Sequence, residues 1–114
     1  RRNVNLYRSL LKTSDVFIPP CKDYEFNTFV LFVAQCARRD ELRDYLVERD
    51  IGVAIHYPKP IHQQPAAEAL GFGTENLANV EAQSETILSL PHHQFLSEEQ
   101  IQYTCDTINS FYQK

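Results

Sequence analysis

The chain has 114 residues, of which 43% are hydrophobic and 11% aromatic, so its length suits a single globular domain over residues 1–114. Disordered chains have a different composition, poor in aromatic residues and high in net charge. The formal net charge is −4 and the basic residues form no cluster, so we expect no general affinity for nucleic acid.

Membrane insertion and disulfide bonding are both disfavoured. The longest unbroken apolar run, Phe29 to Ala34, is far shorter than the roughly 20 residues that cross a bilayer, so we expect no membrane partner. The three cysteines are odd in number and widely spaced, which argues against a disulfide framework and favours the cytoplasm. Because the chain has no Met and begins at Arg1, we expect it to be a piece of a longer polypeptide.

A helix and a short strand are predicted first along the chain. The helix covers 3–11, and its apolar face is formed by Leu6, Leu10 and Leu11. The apolar run 16–18 stops at two prolines, which is typical of a strand at the edge of a sheet.

The next segment predicts the centre of the sheet and a second helix. Residues 26–34 are aromatic and β-branched without alternation, as in a strand that is apolar on both faces. Asp40 is the expected N-cap of a helix that Gly52 ends, and an extended segment follows at 53–55.

Proline determines the character of the following loop. Three prolines fall within 56–65, and each restricts its own φ and the conformation of the residue before it. We therefore expect a stiff loop that is neither helix nor sheet, followed by a short helical turn over 66–70.

The last third of the chain predicts two helices around a short break. A helix is expected over 76–88, with Leu77, Val80, Ser84 and Ile87 on one stripe, and 89–91 ends it as a short strand. Ser97 begins a capping box that starts the final helix. Its apolar stripe consists of Ile101, Cys105, Ile108 and Tyr112. Together these elements predict one α+β domain.

The residue pattern disfavours several kinds of reactive site. The four histidines match no familiar zinc-ligand spacing, so we expect no metal site. Cys36 and Cys105 fall in apolar segments, where free cysteines act as small hydrophobic residues and not as nucleophiles. The chain also lacks both common glycine-rich phosphate-binding loops.

The proline-rich loop is the remaining candidate for a site. Its polar and amphipathic side chains on a stiffened backbone suit recognition of a polar, anionic small molecule, because a stiff loop loses little entropy on binding. A well-ordered turn without a ligand is the simpler alternative. The candidate substrate-binding residues are His56, Tyr57, Lys59, His62 and Gln63.

Several ordered motifs resemble one protein family. HYPKPIHQQPA at 56–66, ILSLPHH at 87–93 and SEEQIQYTCDTI at 97–108 are similar to the C-terminal part of the DegT/DnrJ/EryC1/StrS aminotransferases, which use pyridoxal phosphate (PLP) on nucleotide sugars. RRNVNLYRSLL and RRDELRDYLVERDIGVAIHYP extend the resemblance over the whole chain. It implies the small C-terminal domain of the aspartate-aminotransferase-like (PLP fold type I) architecture, a short antiparallel sheet packed by helices.

The resemblance also implies where the chemistry takes place. In this family a larger domain, which we expect to be absent from this chain, holds PLP on a Schiff-base lysine. Glutamate commonly donates the amino group to a keto-sugar nucleotide, and the active sites lie at a homodimer interface. None of the four lysines here matches the Schiff-base position, so no catalytic residue is expected and the isolated residues 1–114 should be inactive.

The same resemblance implies roles for the loop residues. His56 and Tyr57 should reach toward the sugar nucleotide, His62 and Gln63 should support the loop, and Lys59 could attract the diphosphate. Two other functions stay open at this point. Some relatives carry His in place of the catalytic lysine and dehydrate sugars, and a free-standing, non-catalytic binding module is the other alternative.

Overall fold

The structure is a computed structural model and describes residues 1–113. Helices surround a small sheet, and one 3-10 turn lies in the proline-rich loop. In chain order the elements are α1 (Arg2–Leu10), β1 (Val16–Phe17), β2 (Phe32–Cys36), α2 (Arg39–Val47), the 3-10 turn (Ile61–Gln63), α3 (Pro65–Glu68), α4 (Ala78–Thr86), β3 (Ile87–Leu90) and α5 (Glu98–Tyr112).

The sheet is antiparallel throughout and has the order β1-β2-β3. β2 is its central strand, with Phe32 opposite Leu90 and Ala34 opposite Leu88. A single bridge from Ala54 to β3 brings the start of the proline-rich loop to the sheet. The predicted α+β class, the short antiparallel sheet and the edge position of the first strand are therefore confirmed.

The central strand lies later in the chain than predicted. The sequence pattern favoured 26–34, but the strand is Phe32–Cys36, and Phe26 and Val30 are largely exposed. The Asn27 side chain accepts a hydrogen bond from the backbone N–H of Phe29, whose φ is +51°, and this turn interrupts the extended chain. The strand also alternates between buried and half-buried residues, so only one face is fully buried.

The first helix buries a different face from the one predicted. Val4 and Tyr7 are fully buried in α1, whereas the predicted leucines Leu6, Leu10 and Leu11 are partly buried at the margin of the core. The Tyr7 hydroxyl donates to the carbonyl of Pro91 at 2.7 Å, which helps to hold α1 against the segment after β3. Because Tyr7 is amphipathic, the hydrophobic pattern alone did not identify it as a core residue.

The start and end of α2 differ from the prediction. Arg38, with φ of +49°, precedes the helix, and the predicted cap Asp40 lies in the first helical turn, where its charge suits the helix dipole. α2 ends at Val47, and the positive φ that follows it belongs to Asp50 and not to the predicted stop, Gly52.

The predicted helix over 76–88 is shorter at both ends. It is observed as Ala78–Thr86. Ile87 instead begins β3, because the segment Ile87–Leu90 pairs with β2. Of the predicted stripe, Ser84 is buried, whereas Leu77 and Val80 are exposed.

The final helix agrees closely with the prediction. Both hydrogen bonds of the capping box between Ser97 and Gln100 are present. Ile101, Cys105 and Ile108 are fully buried, and Tyr112 donates from its hydroxyl to the carbonyl of Ala37. Burial raises the pKa of the Cys105 thiol to about 12, so this cysteine is a protonated core residue.

Candidate functional site

The proline-rich loop leaves the sheet at Ala54 and enters the 3-10 turn at Ile61. Inside it, the backbone N–H of Gln63 donates to the Pro60 carbonyl at 3.0 Å. The Gln64 side chain donates to the Lys59 carbonyl at 2.9 Å. These internal bonds give the loop a defined shape without a strand partner. The expectation that the loop contains no helix is wrong at Ile61–Gln63, which forms the 3-10 turn, and at Pro65, which begins α3.

His56 lies at the start of the loop and is half-buried. Its Nδ1 is 2.8 Å from Oγ of Ser89, which is buried in β3. Tyr57 follows through a cis peptide bond and packs its ring edge-to-face on the imidazole, with ring centroids 5.4 Å apart. Tyr57 is 70% exposed, and among the described residues Nε2 of His56 has no hydrogen-bond partner. The pair therefore offers an imidazole nitrogen and a phenol to a ligand.

His62 lies at the other end of the loop and is mostly buried. Its Nε2 donates to Oε1 of Glu81 on α4 at 2.9 Å, and the His62 side chain is 10% exposed. This contact connects the 3-10 turn to a helix that follows it in the chain. His62 therefore connects the 3-10 turn to α4 through Nε2, and its role in a ligand site stays a prediction.

The other two predicted site residues are less engaged. Lys59 is exposed, and within residues 1–113 its ammonium group has no partner. Gln63 is half-buried and bonds through its backbone. The structure therefore brings His56 and Tyr57 together and fixes His62. The side chains of Lys59 and Gln63 make no hydrogen bond within residues 1–113.

Three residues that the sequence reasoning missed hold the loop and its surroundings. Ser89 contacts His56, Glu81 contacts His62, and Arg39 fixes the segment between them. The Arg39 side chain is 7% exposed, and its Nη1 donates to the carbonyls of Ser84 and Ile87 at 3.1 and 2.9 Å. One sequence signal could have identified Ser89, because its hydroxyl is the single polar side chain in the otherwise apolar run of β3.

Two cavities have similar sizes, and the second borders the loop. One, of about 600 Å³, lies at the start of α1, and its cationic or titratable wall consists of Arg1, Arg2, His92 and His93. The other, of about 590 Å³, is apolar and lies between the 3-10 turn, α3 and α4. Its lining includes Ile61, Leu70, Phe72, Leu77 and Val80.

His92 occupies an unusual environment at the first cavity. Its ring lies 6.5 Å from that of Phe29 and 6.2 Å from that of Phe32, measured between centroids. Its Nδ1 is buried and has no hydrogen-bond partner among residues 1–113. Burial, and then the nearby positive N-terminal amino group, lower the pKa of His92.

No PLP site is shown among the described residues 1–113. PLP chemistry needs a lysine amine within reach of the cofactor and groups that hold its phosphate. Lys12, Lys22 and Lys59 are exposed, and no lysine lines either of the two cavities. Lys114 lies outside the described residues.

Residues 1–113 contain neither a cluster of metal ligands nor a membrane-spanning helix. No group of three or more His, Cys, Asp or Glu side chains there is close enough together to hold a metal ion. None of the helices in the same range has the length and apolar character needed to cross a bilayer.

Two proteins of known name resemble this chain in sequence over most of its length. The chain is 33% identical over 115 residues to a pleiotropic regulatory protein of Geobacillus stearothermophilus, covering 98% of this chain and 31% of the relative. It is 27% identical to a dTDP-3-amino-3,6-dideoxy-alpha-D-galactopyranose transaminase of Aneurinibacillus thermoaerophilus, covering 92% of this chain and 28% of the relative. The chain thus spans about a third of the length of these relatives.

A solved structure and a family profile identify the fold and the family. A DegT DnrJ EryC1 StrS aminotransferase from Brucella abortus superposes with a TM-score of 0.88 at 28% identity, covering 99% of this chain and 30% of the other. This likeness confirms the predicted aminotransferase type of fold. The family profile matches residues 1–109. The chain belongs to the DegT/DnrJ/EryC1/StrS aminotransferase family.

Proposed function

We propose that this chain is the substrate-side, C-terminal domain of a PLP-dependent aminotransferase that transfers an amino group from glutamate to a keto-sugar nucleotide. Family membership supports the reaction class. The transaminase of Aneurinibacillus thermoaerophilus, whose name specifies a dTDP-amino sugar, supports a nucleotide-sugar substrate. The roughly threefold greater length of the relatives supports a separate, larger domain.

The paired side chains at the start of the loop are the observation that carries the proposal. Ser89 holds one nitrogen of the His56 ring, and this contact orients the ring while Nε2 stays open. Tyr57 adds an exposed phenol and an aromatic face beside it. Imidazole and phenol groups both donate and accept hydrogen bonds, which suits the hydroxyl groups of a sugar. Lys59 would attract the diphosphate, and His62 and Gln63 would support the loop.

The chain's share of the reaction is binding and orientation. PLP, held by the larger domain, would supply the electron sink and accept the amino group. The cavities described above lack a lysine, so we assign no catalytic residue to this chain. We expect the active site to form at a homodimer interface of the longer protein, and residues 1–114 alone to be inactive.

The test uses the full-length protein purified with PLP, incubated with glutamate and a panel of keto-sugar nucleotides. We expect a visible absorption of bound cofactor that borohydride removes, and an amino sugar nucleotide as product. Residues 1–114 expressed alone serve as the control and should show neither. A full-length protein that binds the cofactor but neither binds nor aminates any nucleotide sugar would overturn the proposal.

A further inference from the structure

Two side-chain hydrogen bonds connect the proline-rich loop to the rest of the described chain. One joins His56 to Ser89 on β3, and the other joins His62 to Glu81 on α4. The first lies at the start of the loop and the second in its 3-10 turn. Tyr57 and Lys59 lie between these two points. The position of the binding side chains therefore depends on both contacts.

The His62–Glu81 hydrogen bond is more shielded from solvent than the ion pairs that Arg residues form within residues 1–113, apart from the one-sidedly buried Arg39–Asp40 pair. Its side chains are 10% and 31% exposed, whereas those of Arg2 and Glu98 are 61% and 69% exposed. A hydrogen bond to a carboxylate is stronger than one between neutral groups, and shielding reduces its screening by salt. The contact is therefore suited to fixing one geometry.

Both anchoring residues belong to one continuous segment, α4 followed directly by β3. Arg39 of α2 holds that segment by donating to the carbonyls of Ser84 and Ile87, between Glu81 and Ser89. β3 in turn pairs with the central strand over four residues. The loop is thus attached at two points to one support that is itself fixed to the core.

We propose that Glu81 is a positioning residue for the sugar nucleotide, which acts through His62 to hold the loop so that His56 and Tyr57 meet the substrate. This inference rests on the proposed function. A loop that is already ordered loses less entropy on binding, so releasing one end weakens substrate binding without removing a contacting group. On this proposal the loop contacts the sugar nucleotide and not the amino donor, so we expect KM for the amino donor to be independent of Glu81.

The kinetic test compares Glu81→Ala, Glu81→Gln and a matched control in the full-length enzyme with PLP. The control is Glu85→Ala, which lies one turn further along α4, is exposed and has no partner among the described residues. We expect Glu81→Ala to raise KM for the sugar nucleotide by about tenfold, with kcat and KM for the amino donor within about twofold of wild type. Glu81→Gln keeps an acceptor for His62 and should restore most of the affinity, and Glu85→Ala should match wild type.

A second measurement tests positioning without relying on activity. Amide hydrogen exchange at Gln63 and Gln64, whose N–H groups bond within the loop, should be faster by about fivefold in Glu81→Ala and unchanged in Glu85→Ala. Equal KM and equal exchange in the Glu81→Ala and Glu85→Ala variants would overturn the inference. An equal rise in KM for the sugar nucleotide and for the amino donor in Glu81→Ala would also overturn it. If wild type turns over no nucleotide sugar, the proposed function fails, and the exchange rates still decide whether Glu81 holds the loop.

Discussion

Two regions of the molecule are held together in different ways. One is the sheet with α1, α2 and α5, and the other runs from the proline-rich loop to α4. The first region contains the buried apolar core, with Val4, Leu42 and Ile108 at 0% exposure. In the second, Ile61 is 86% and Leu70 78% exposed, and two side-chain hydrogen bonds connect the loop to its support. Burial stabilises the first region, which we call the framework, and point contacts shape the second.

The difference separates stability from recognition. Apolar burial is the largest favourable contribution to folding, so changes in the framework should alter the free energy of unfolding. Changes in the loop remove little buried area and should alter ligand binding with little effect on unfolding. The following changes test this separation, in order of decreasing effect.

A cavity in the framework should have the largest effect on stability. Ile108→Ala removes a fully buried side chain from α5 and should lower the free energy of unfolding by about 3 kcal/mol. Ile61→Ala makes the same chemical change in the loop, where the side chain is exposed, and should cost less than about 0.5 kcal/mol. Urea unfolding of both variants measures the contrast, and equal costs would contradict it.

Removal of Arg39 should have the next largest effect, because this residue joins the two regions. Arg39→Ala removes a buried donor to the carbonyls of Ser84 and Ile87 and should cost about 2 kcal/mol. Arg43→Ala removes a more exposed arginine of the same helix, paired with aspartates at the surface, and should leave the free energy of unfolding close to that of wild type. Thermal unfolding of both variants is the measurement. A large loss from Arg43→Ala would contradict the assignment.

The cap of α5 should contribute a smaller amount. Ser97→Ala removes the acceptor for the Gln100 N–H and should cost about 1 kcal/mol. Ser110→Ala, on the exposed side of the same helix, is the control and should be close to neutral. The difference is measured as a shift in the denaturant midpoint, with the same dependence of the free energy of unfolding on denaturant concentration in both variants. A cost for Ser97→Ala no greater than that of Ser110→Ala would argue against the capping box.

His92 should give the smallest effect, visible as a dependence on pH. Its pKa is lowered in the folded chain by burial, so below the ordinary histidine pKa of about 6.5 the unfolded chain binds more protons. The contribution of His92 to the free energy of unfolding is therefore complete above that pH. It is lost as the pH falls toward the pKa that His92 has in the folded chain. His92→Leu should reduce the fall in melting temperature between pH 7 and pH 5. An unchanged dependence of the melting temperature on pH would contradict this assignment.

Local patterns were the most predictable part of the fold. The capping box at Ser97 and the stripe through Ile108 depend on residues within a few positions of one another, and both were found as predicted. The central strand was misplaced because a turn at Asn27, formed by a single side chain, outweighed the β propensity of its neighbours. The apolar stripe of α4 was misjudged because its surroundings, and not its own period, determine what it buries.

The candidate site divides in the same way. Its loop could be predicted because prolines restrict the backbone locally. Its anchors could not, since Ser89 lies 33 residues from His56 and Glu81 lies 19 residues from His62. Only the folded chain brings those residues together, and the sequence contains no local signal for the pairing of an imidazole with a carboxylate on a later helix.

The most direct test of recognition by the loop is the affinity of the full-length protein for a nucleotide sugar, measured by isothermal titration calorimetry. Wild type is compared with His56→Ala and Tyr57→Ala in the loop and with Ser110→Ala on the framework surface. We predict that each loop change weakens binding by about tenfold, equivalent to about 1.4 kcal/mol, while Ser110→Ala leaves the affinity unchanged. Equal affinity in all four proteins would contradict the assignment of this loop to substrate binding.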